Sequence, residues 1–408
     1  MDRIYSRCAG LDVHKDTVWA CVRADGRVVL LERFGTTTRE LLRLGDRLAE
    51  HGVTIVAMES TGVYWKPVWN LLEDRFQLLL ANAQHMKNVP GRKTDVKDCQ
   101  WVAELLEHGL LKASFVPPRP QRELRDLTRQ RTQVLADRAR VVNRVQKTLE
   151  DANIKHAGVA TDITGKSGRA ILDALVAGEL TPAQMAELVH RRMEAKKPAL
   201  REALAGRVTP HHRFMLGQLL AQIDHLDGMV EQFDARVEAV MSPLEKGAVE
   251  RLDDIPGIDT RSGQILVAEV GTEAARQFPS AHHLASWAGV CPGNHESAGK
   301  RRGGRTRPGN GWLKAALMQA GWAAARTRRS YYSAQHRRLA GRRGAKRATM
   351  AVAHSLLVTA YCVLSRGSQY VDLGADHLEK RRTPQEQAQQ MVKKLQKLGY
   401  AVEIRPAA

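Results

Sequence analysis

The first 110 residues alternate between short runs of β-forming residues and amphipathic helical patterns, and this order restricts the possible folds. Strands are predicted at 8–13, 17–23, 27–34, 53–58 and 76–80, and helices at 37–51, 62–75 and 95–108. Asp25-Gly26, between the second and third strands, is a hairpin turn signal. Three strands, a helix, a strand, a helix, a strand and a helix predict an α/β fold of the ribonuclease-H-like type.

Four acidic residues fall at the ends of these elements. Asp12 ends the first apolar run, Glu59 ends the run at 53–58, and Asp95 and Asp98 lie three apart at the start of a helical pattern. Strand ends and a helix start can bring all four to one point. A single Asp at a strand end is more often a helix cap, but this set predicts a Mg²⁺ site for phosphoryl transfer, because Mg²⁺ prefers oxygen ligands.

The middle of the chain reads as helical. Prolines at 117, 118 and 120 end the first region, and long helices are predicted at 121–150 and 211–241. Their apolar residues recur every three or four positions, which predicts an antiparallel helical pair or an oligomerising coiled coil. Arg122, Arg125 and Arg129 belong to a series of arginines along the first helix. These arginines form either a solvated face or an edge that contacts nucleic acid.

A third, mostly α-helical region runs from about 245 to 370. Its segment Leu252–Ile258 resembles the loop of a helix-hairpin-helix, in which backbone N–H groups around Gly257 can hold a DNA phosphate. A tail with a helix at 384–397 and a strand at 400–404 follows. We therefore predict an α/β catalytic domain, a helical coiled-coil region, a domain with the hairpin-like loop and a C-terminal tail, at 1–115, 116–244, 245–370 and 371–408.

Charge indicates the class of partner. The net charge is +19, and the segment from Ser297 to Val371 contains no Asp or Glu. Such a field attracts polyanions and makes their binding depend on salt. No apolar stretch approaches a membrane span, no signal-peptide core is present, and the five cysteines are scattered. The sequence predicts a cytoplasmic nucleic-acid-binding protein without a membrane anchor.

Ser297 lies in a loop of small residues that is followed at once by cations. A serine hydroxyl is a weak nucleophile unless a base or a neighbouring charge activates it. The cations can hold a scissile phosphate and stabilise its transition state. On chemistry alone, a flexible phosphate-binding loop is the more common explanation. The candidate nucleic-acid ligands here are Lys300, Arg301, Arg302, Arg305 and Arg307. His282, His283, Cys291 and His295 match no common zinc spacing.

Two independent sets of motifs resemble one family. Gly10–Lys15, Met58–Gly62 and Lys93–Asp98 resemble the first domain of the DEDD transposases of bacterial insertion sequences, of the insertion-sequence 110 type. Ile255–Ile258 and the stretch Trp287–Lys300 resemble the family's transposase domain. Together the motifs span residues 8 to about 365 in the family's order. Ala298 departs from the pattern, because the family often has glycine directly after the serine.

The resemblance implies a mechanism that composition does not show. Members of the family are recombinases that move an insertion sequence with a structured non-coding guide RNA, the bridge RNA, which pairs with donor and target DNA. Their RuvC-like and transposase domains form a composite site from different protomers of a homo-oligomer, a dimer or tetramer. By motif match, Ser297 is the nucleophile that forms a covalent link with DNA. The acids Asp12, Glu59, Asp95 and Asp98 carry over as the Mg²⁺ ligands, in a bacterial, nucleoid-associated setting.

Two other interpretations remain open. A metal-dependent nuclease resembling a Holliday-junction resolvase would use the four acids to activate water and would form no covalent intermediate. A binding protein with degenerate acids would not cleave DNA at all. The three interpretations differ in whether DNA is cut and in whether the protein becomes attached to it.

Overall fold

The computed structural model describes residues 3–60, 62–81, 95–293, 295–297, 299–377 and 384–403. The chain divides into two compact units, Met1–Pro117 and Pro118–Ala408, and each is described by itself. The second unit includes both the long helices and the region that follows them. The division into four parts at 115, 244 and 370 stays a prediction.

The first unit is built on a mixed five-stranded sheet. Its strands are β1 (Arg7–Val13), β2 (Thr17–Ala24), β3 (Arg27–Gly35), β4 (Ile55–Glu59) and β5 (Gln77–Ala81), in the order β3-β2-β1-β4-β5. β1, β2 and β3 are antiparallel neighbours, whereas β4 runs parallel to both β1 and β5. The helices are α1 (Thr38–Glu50), α2 (Trp65–Leu72) and α3 (Asp95–Glu107). This topology is compatible with the predicted ribonuclease-H-like fold.

Helices cover both faces of the sheet. Leu41 and Leu48 of α1 and Leu72 of α2 are buried with Leu11 and Val22 on one face. Helix α3 covers the other face, as described below for the candidate site. A strand that is buried on both faces has no need of polar alternation, which explains the continuous apolar runs in β1 and β4. Each fully buried leucine contributes roughly 1.5–3 kcal/mol to this core.

Two local turn features account for the element boundaries. Asp25 and Gly26 both have positive φ, at 49° and 85°, as the hairpin turn between β2 and β3 requires. This part of the prediction is confirmed. Helix α2 begins at Trp65 and not at the predicted 62, because Gly62 has a φ of 54° and so cannot be part of a right-handed helix.

The second unit begins with two long helices, α4 (Arg119–Asp151) and α9 (Pro210–Val240), and five short helical elements lie between them. These are α5 (His156–Val159), α6 (Lys166–Ala177), α7 (Pro182–Glu187), a 3₁₀ turn (Arg191–Lys196) and α8 (Lys197–Ala203). Three contacts show that α4 and α9 run antiparallel: Arg131–Asp234, Arg138–Asp227 and His212–Asp151.

The apolar faces of α4 and α9 are buried inside the unit. Val141, Val145 and Leu149 pack in one cluster with Leu216 and Ile223. The predicted antiparallel pair is therefore present within one chain. Because the two faces cover each other, the apolar spacing is explained by the pair, and an oligomerising coiled coil stays a prediction.

The rest of the second unit is helical apart from one hairpin. Its helices are α10 (Pro243–Asp253), α11 (Thr260–Val270), α12 (Ala274–Gln277), α13 (Ala281–Ala288), α14 (Gly311–Arg326), α15 (Tyr331–Arg343) and α16 (Ala345–Arg366). The strands β6 (His295–Ser297) and β7 (Lys300–Gly303) form the hairpin. In the tail, α17 spans Pro384–Lys397, and the predicted strand at 400–404 is absent from residues 400–403. Ile404 lies outside the described residues.

The sequence predicts no apolar stretch that approaches a membrane span, and helix α16 does not fit this expectation. By length and composition alone it is long and apolar enough to cross a membrane, and half of the qualifying stretch is buried inside the protein. Val352, Leu356 and Ala360 are fully buried where α16 packs against its neighbours. The apolar composition of α16 therefore has an explanation in the core of the unit.

Candidate catalytic and nucleic-acid-binding sites

The sheet brings two of the predicted carboxylates side by side. Leu11 of β1 and Met58 of β4 are paired in the parallel register, and Asp12 and Glu59 are the next residues of the two strands. Asp12 is buried, with 7% of its surface exposed, and Glu59 is half-buried. Both positions therefore lie at the carboxyl ends of neighbouring parallel strands, where ligand sites of α/β sheets form.

Helix α3 extends toward the same end of the sheet. Cys8, near the start of β1, packs with Val102 and Leu106, whereas Gly10 lies against Cys99 and Ala103. A Cβ atom on Gly10 would overlap the backbone of α3, so only glycine permits this close approach. Residue numbers fall along α3 in the direction in which they rise along β1. The first turn of α3, with Asp95 and Asp98, therefore lies toward the end of β1 that carries Asp12.

The Cys99 thiol lies in the field of Asp12. Burial raises the pKa of this thiol to about 12, and the charges of Cys21 and Asp12 add to the rise. Burial likewise raises the pKa of Cys8 to about 12 and that of Cys21 to about 11. These thiols are therefore protonated at neutral pH, and they act as packing groups between α3 and the sheet.

The donor chemistry of the four acids suits Mg²⁺, but the described side chains do not by themselves complete a metal site. Among the residues whose side chains are described, no three His, Cys, Asp or Glu side chains lie close enough to hold an ion. Asp12, Glu59 and Asp98 are in this described set, whereas the side chain of Asp95 is not. The topology thus brings four oxygen-donor positions to one end of the sheet, and coordination by them stays a prediction.

His14 is a neighbour of this site that sequence reasoning missed. Its Nε2 lies 3.0 Å from Oδ2 of Asp12, and its side chain is 47% exposed. His14 directly follows β1, and residues i and i+2 of an extended segment share a face, so the spacing from Asp12 to His14 was an available signal. The hydrogen bond orients the Asp12 carboxylate at the strand end.

Ser297 lies at the end of the hairpin in the second unit. It pairs with Lys300, and the pairs Glu296–Arg301 and His295–Gly303 follow along β6 and β7. Gly299 has a φ of 72°, so it supplies the left-handed conformation of the turn. The side chains of Ser297, Lys300, Arg301 and Arg302 lie outside the described set. For this predicted site the structure describes the position of the backbone.

The base of the hairpin is held by several contacts. The Gly293 N–H donates to the Arg305 carbonyl at 2.9 Å. Lys314 Nζ donates to the Thr306 hydroxyl at 2.9 Å and to the Arg307 carbonyl at 3.3 Å. The side chains of Arg305 and Arg307 are exposed beside these contacts. The hairpin is thus anchored where it leaves the helical core, and exposed cations lie at its base.

A buried carboxylate, which sequence reasoning also missed, connects this region to the long helix α4. Glu269 of α11 is fully buried and accepts two hydrogen bonds from Arg129, at 2.6 and 2.8 Å. Asn310 donates to the same carboxylate at 2.7 Å, and its own side-chain oxygen caps α14 by accepting from two backbone N–H groups. Because Asn310 ends the segment that includes the hairpin, Glu269 fixes the position of that segment's end.

Two arginines predicted as nucleic-acid ligands have internal partners. The Arg125 guanidinium is buried and donates to the main-chain carbonyls of Ala268 and Glu269, and burial lowers its pKa to about 10. Arg129 is held by Glu269, as described above, and Arg122 is half-buried on the same helix. The positions of Arg125 and Arg129 on α4 therefore have a structural explanation, because each guanidinium has a partner inside the protein.

Removing the buried carboxylate should destabilise the second unit strongly. For Glu269→Ala we expect a loss of about 3–5 kcal/mol in the free energy of unfolding, because buried cations lose their partner. Glu273→Ala is the matched control, since it removes an exposed carboxylate that pairs with Arg276 at 2.6 Å, and we expect little change from it. Urea unfolding followed by circular dichroism measures both. Equal, small losses for the two variants would contradict the structural role of Glu269.

The turn at Gly257 packs against the protein. It joins α10 to α11, and Gly257 has a φ of 91°. A Cβ atom there would overlap the backbone of α14 at Ala320 and Ala324. Glycine is thus required for the close approach of the turn to α14. Phosphate binding by the backbone of this turn stays a prediction.

Comparisons with known proteins agree for two separate regions of the chain. Residues 9–154 match a model of DEDD transposases of the IS110 type, described as a transposase. Residues 249–337 match a second model, described as a transposase of the IS116/IS110/IS902 family. The chain is also 25% identical, over 342 residues, to a protein of Streptomyces clavuligerus named as the insertion element IS116 uncharacterized 44.8 kDa protein, covering 75% of this chain and 80% of that relative.

Proposed function

We propose that this chain, a transposase of the IS110/IS116 family of mobile insertion sequences, cleaves and rejoins DNA strands with Ser297 as its nucleophile. The observation that carries the proposal is the position of Ser297 at the end of a hairpin that is anchored at its base. Ser297 itself starts a segment without acids, from 297 to 371, and Glu296 of β6 is the last acid before it, so no carboxylate of that segment opposes an approaching DNA strand.

The chemistry assigned to the serine is a transesterification. Its Oγ loses a proton and forms a bond to the DNA phosphorus, while the bond from phosphorus to one sugar oxygen breaks and that oxygen takes up a proton. The number of phosphoester bonds is conserved, so attack by a free DNA hydroxyl can reverse the step and rejoin strands. The cations Lys300, Arg301 and Arg302, next to Ser297 in the hairpin, would stabilise the charge on the phosphate oxygens, and Arg305 and Arg307 at its base would hold the neighbouring DNA backbone.

For the first unit we propose that Asp12, Glu59, Asp95 and Asp98 hold Mg²⁺. The ion would supply Lewis-acid stabilisation of a phosphate oxygen. What supports this assignment is the pairing of β1 with β4, which puts Asp12 beside Glu59, and the packing of α3 on Gly10. In this assignment His14 orients the Asp12 carboxylate through their 3.0 Å contact.

The remaining parts of the proposal come from the family resemblance. A structured guide RNA would pair with donor and target DNA, and the active assembly would be a homo-oligomer in the bacterial cytoplasm. The net charge of +19 supports partners with many phosphates. The faces of α4 and α9 are buried within one chain, so the oligomer would use other surfaces.

A metal-dependent nuclease is the second candidate function. It is favoured by one observation, namely that the carboxylate positions come together through the sheet and α3, entirely within the first unit. Such an enzyme would activate water and release free DNA ends, as a Holliday-junction resolvase does. It would have no use for a nucleophile on the hairpin.

Wild-type protein distinguishes the two candidates. We would incubate it with RNA transcribed from the sequence flanking its gene, donor DNA, target DNA and Mg²⁺, and resolve the products on a denaturing gel. Labelled DNA that migrates with the protein, and that protease digestion releases, is the expected result. Cut DNA without an adduct would favour the metal-dependent nuclease. Tight binding without any cleavage, with or without Mg²⁺, would leave only a binding protein.

A further inference from the structure

A cationic cavity lies at the base of the serine hairpin. It has a volume of about 740 Å³ and is lined by Pro292, Gly304, Arg305, Thr306, Arg343 and Arg347. Its three arginines come from three different elements: Arg305 from the hairpin base, Arg343 from the end of α15 and Arg347 from the start of α16. The fold, and not a run of sequence, therefore brings these charges together around one space.

In the described part of the chain the arginines of the cavity have no carboxylate partner, unlike several arginines of α4. Arg129 and Arg138 pair with Glu269 and Asp227. Within the part of the chain that the structure describes, no carboxylate pairs with Arg305, Arg343 or Arg347, and all three are exposed. Three like charges around one cavity repel each other, and an anion between them would relieve that repulsion.

Other features of the cavity favour an anion as well. Lys346 and Arg347 occupy the first turn of α16, where the helix dipole disfavours cations and where no acid is present. The residue before the helix, Gly344, provides no side-chain cap. The Thr306 hydroxyl accepts from Lys314, so its own proton remains available for donation to an acceptor in the cavity.

The cavity lies a short distance from the serine along the hairpin. Ser297 is four positions along the chain from Gly293, which is hydrogen-bonded to Arg305. Because an extended chain spans about 3.3 Å per residue, Ser297 lies at most roughly 13 Å from Gly293. Along a DNA duplex, with about 3.4 Å per nucleotide of one strand, 13 Å corresponds to roughly four nucleotides. A strand held in the cavity would therefore reach Ser297 within a few phosphates.

We propose that Arg305, Arg343 and Arg347 form a binding site for a DNA backbone phosphate, which sets the register of the DNA strand relative to Ser297. Guanidinium groups recognise phosphate oxygens through paired N–H donors, without reading the base sequence. The choice of DNA as the polyanion rests on the proposed function, because the neighbouring serine is assigned to attack DNA. The site itself rests only on the cavity and its charges.

The test compares two double variants with equal loss of charge. Arg343→Ala with Arg347→Ala removes two cations of the cavity, whereas Arg326→Ala with Arg328→Ala removes two exposed cations elsewhere in the acid-free segment. Binding of a short labelled DNA duplex is measured by fluorescence anisotropy over a range of salt concentrations. For the cavity variant we expect weaker binding and a slope of log affinity against log salt that is smaller by roughly 1 to 2. The control should keep the wild-type slope, and thermal unfolding should show both variants folded.

The outcomes separate this site from the proposed function. Equal slopes for the two double variants would overturn the phosphate site, even if the wild type forms its adduct with DNA. A smaller slope for the cavity variant supports the phosphate site, even if the wild type forms no adduct and the serine mechanism is wrong. If the slope changes with an RNA duplex of the same sequence and not with DNA, then the assignment to DNA is overturned.

Discussion

Replacing Ser297 with alanine should abolish the covalent protein–DNA adduct and reduce strand cleavage by at least about a thousandfold, while DNA affinity stays close to that of the wild type. The reason is that the hydroxyl is the only part of the serine that forms a bond to phosphorus, and no water activated elsewhere replaces it in this mechanism. Affinity depends on cations that the substitution leaves in place. The measurement is a denaturing gel for the adduct, with filter binding for affinity.

Ser286→Ala is the matched control for this prediction. Ser286 is an exposed residue of α13, it lies in the same unit, and it is one of the neighbouring serines that offers an alternative hydroxyl. Its replacement should change neither the adduct nor cleavage. Persistence of the adduct in Ser297→Ala and its loss in Ser286→Ala would reassign the nucleophile. Cleavage by Ser297→Ala at the wild-type rate would leave the metal-dependent nuclease as the better description.

Replacing Asp12 with asparagine should reduce Mg²⁺-dependent cleavage by about 100- to 1,000-fold without unfolding the first unit. The amide has nearly the shape of the carboxylate and can still form a hydrogen bond with His14, so packing at the end of β1 is kept. What is lost is a buried negative charge beside Glu59, and a neutral amide is a weaker ligand for Mg²⁺. Cleavage rates over a range of Mg²⁺ concentrations measure the effect.

The matched control for Asp12 lies four residues further along the chain. Asp16 is exposed just beyond the end of β1, so Asp16→Asn removes the same charge from outside the proposed site. Its cleavage rate and its dependence on Mg²⁺ should match those of the wild type. If both aspartates can be replaced without loss of cleavage, then the carboxylate site has no part in the reaction.

Local sequence patterns predicted the first unit well, and the reason is physical. Strand and helix periodicity, and the positive φ demanded by Asp25-Gly26, are properties of short segments, so they can be recognised without knowledge of the partners. The parallel pairing of β1 with β4 is not local. The expected order of elements predicts this pairing only if a sheet topology is assumed. The neighbouring positions of Asp12 and Glu59 depend on the pairing.

The second unit shows the limit of such patterns. Apolar spacing predicted the long helices, but it left an antiparallel pair and an oligomer interface equally open. The structure shows the pair, because the apolar residues of α4 meet those of α9 within one chain, and an oligomer interface in this region stays a prediction. The hydrogen bond from His14 to Asp12 and the burial of Glu269 were also beyond the sequence reasoning, since each depends on where a side chain packs.

The sequence by itself determined the order of elements, the excess of positive charge and the residues with the chemistry to act on a phosphate, because each of these is carried by residue type and spacing. The tertiary structure alone decided which cations are engaged and which are free. Arg129 and Arg347 are both helical arginines, and spacing along the chain does not distinguish them. Folding puts Glu269 within 2.6 Å of Arg129, whereas it puts Arg347 at a cavity with two further arginines. The attraction between charges depends on their distance in space, and the chain sets that distance only when it is folded.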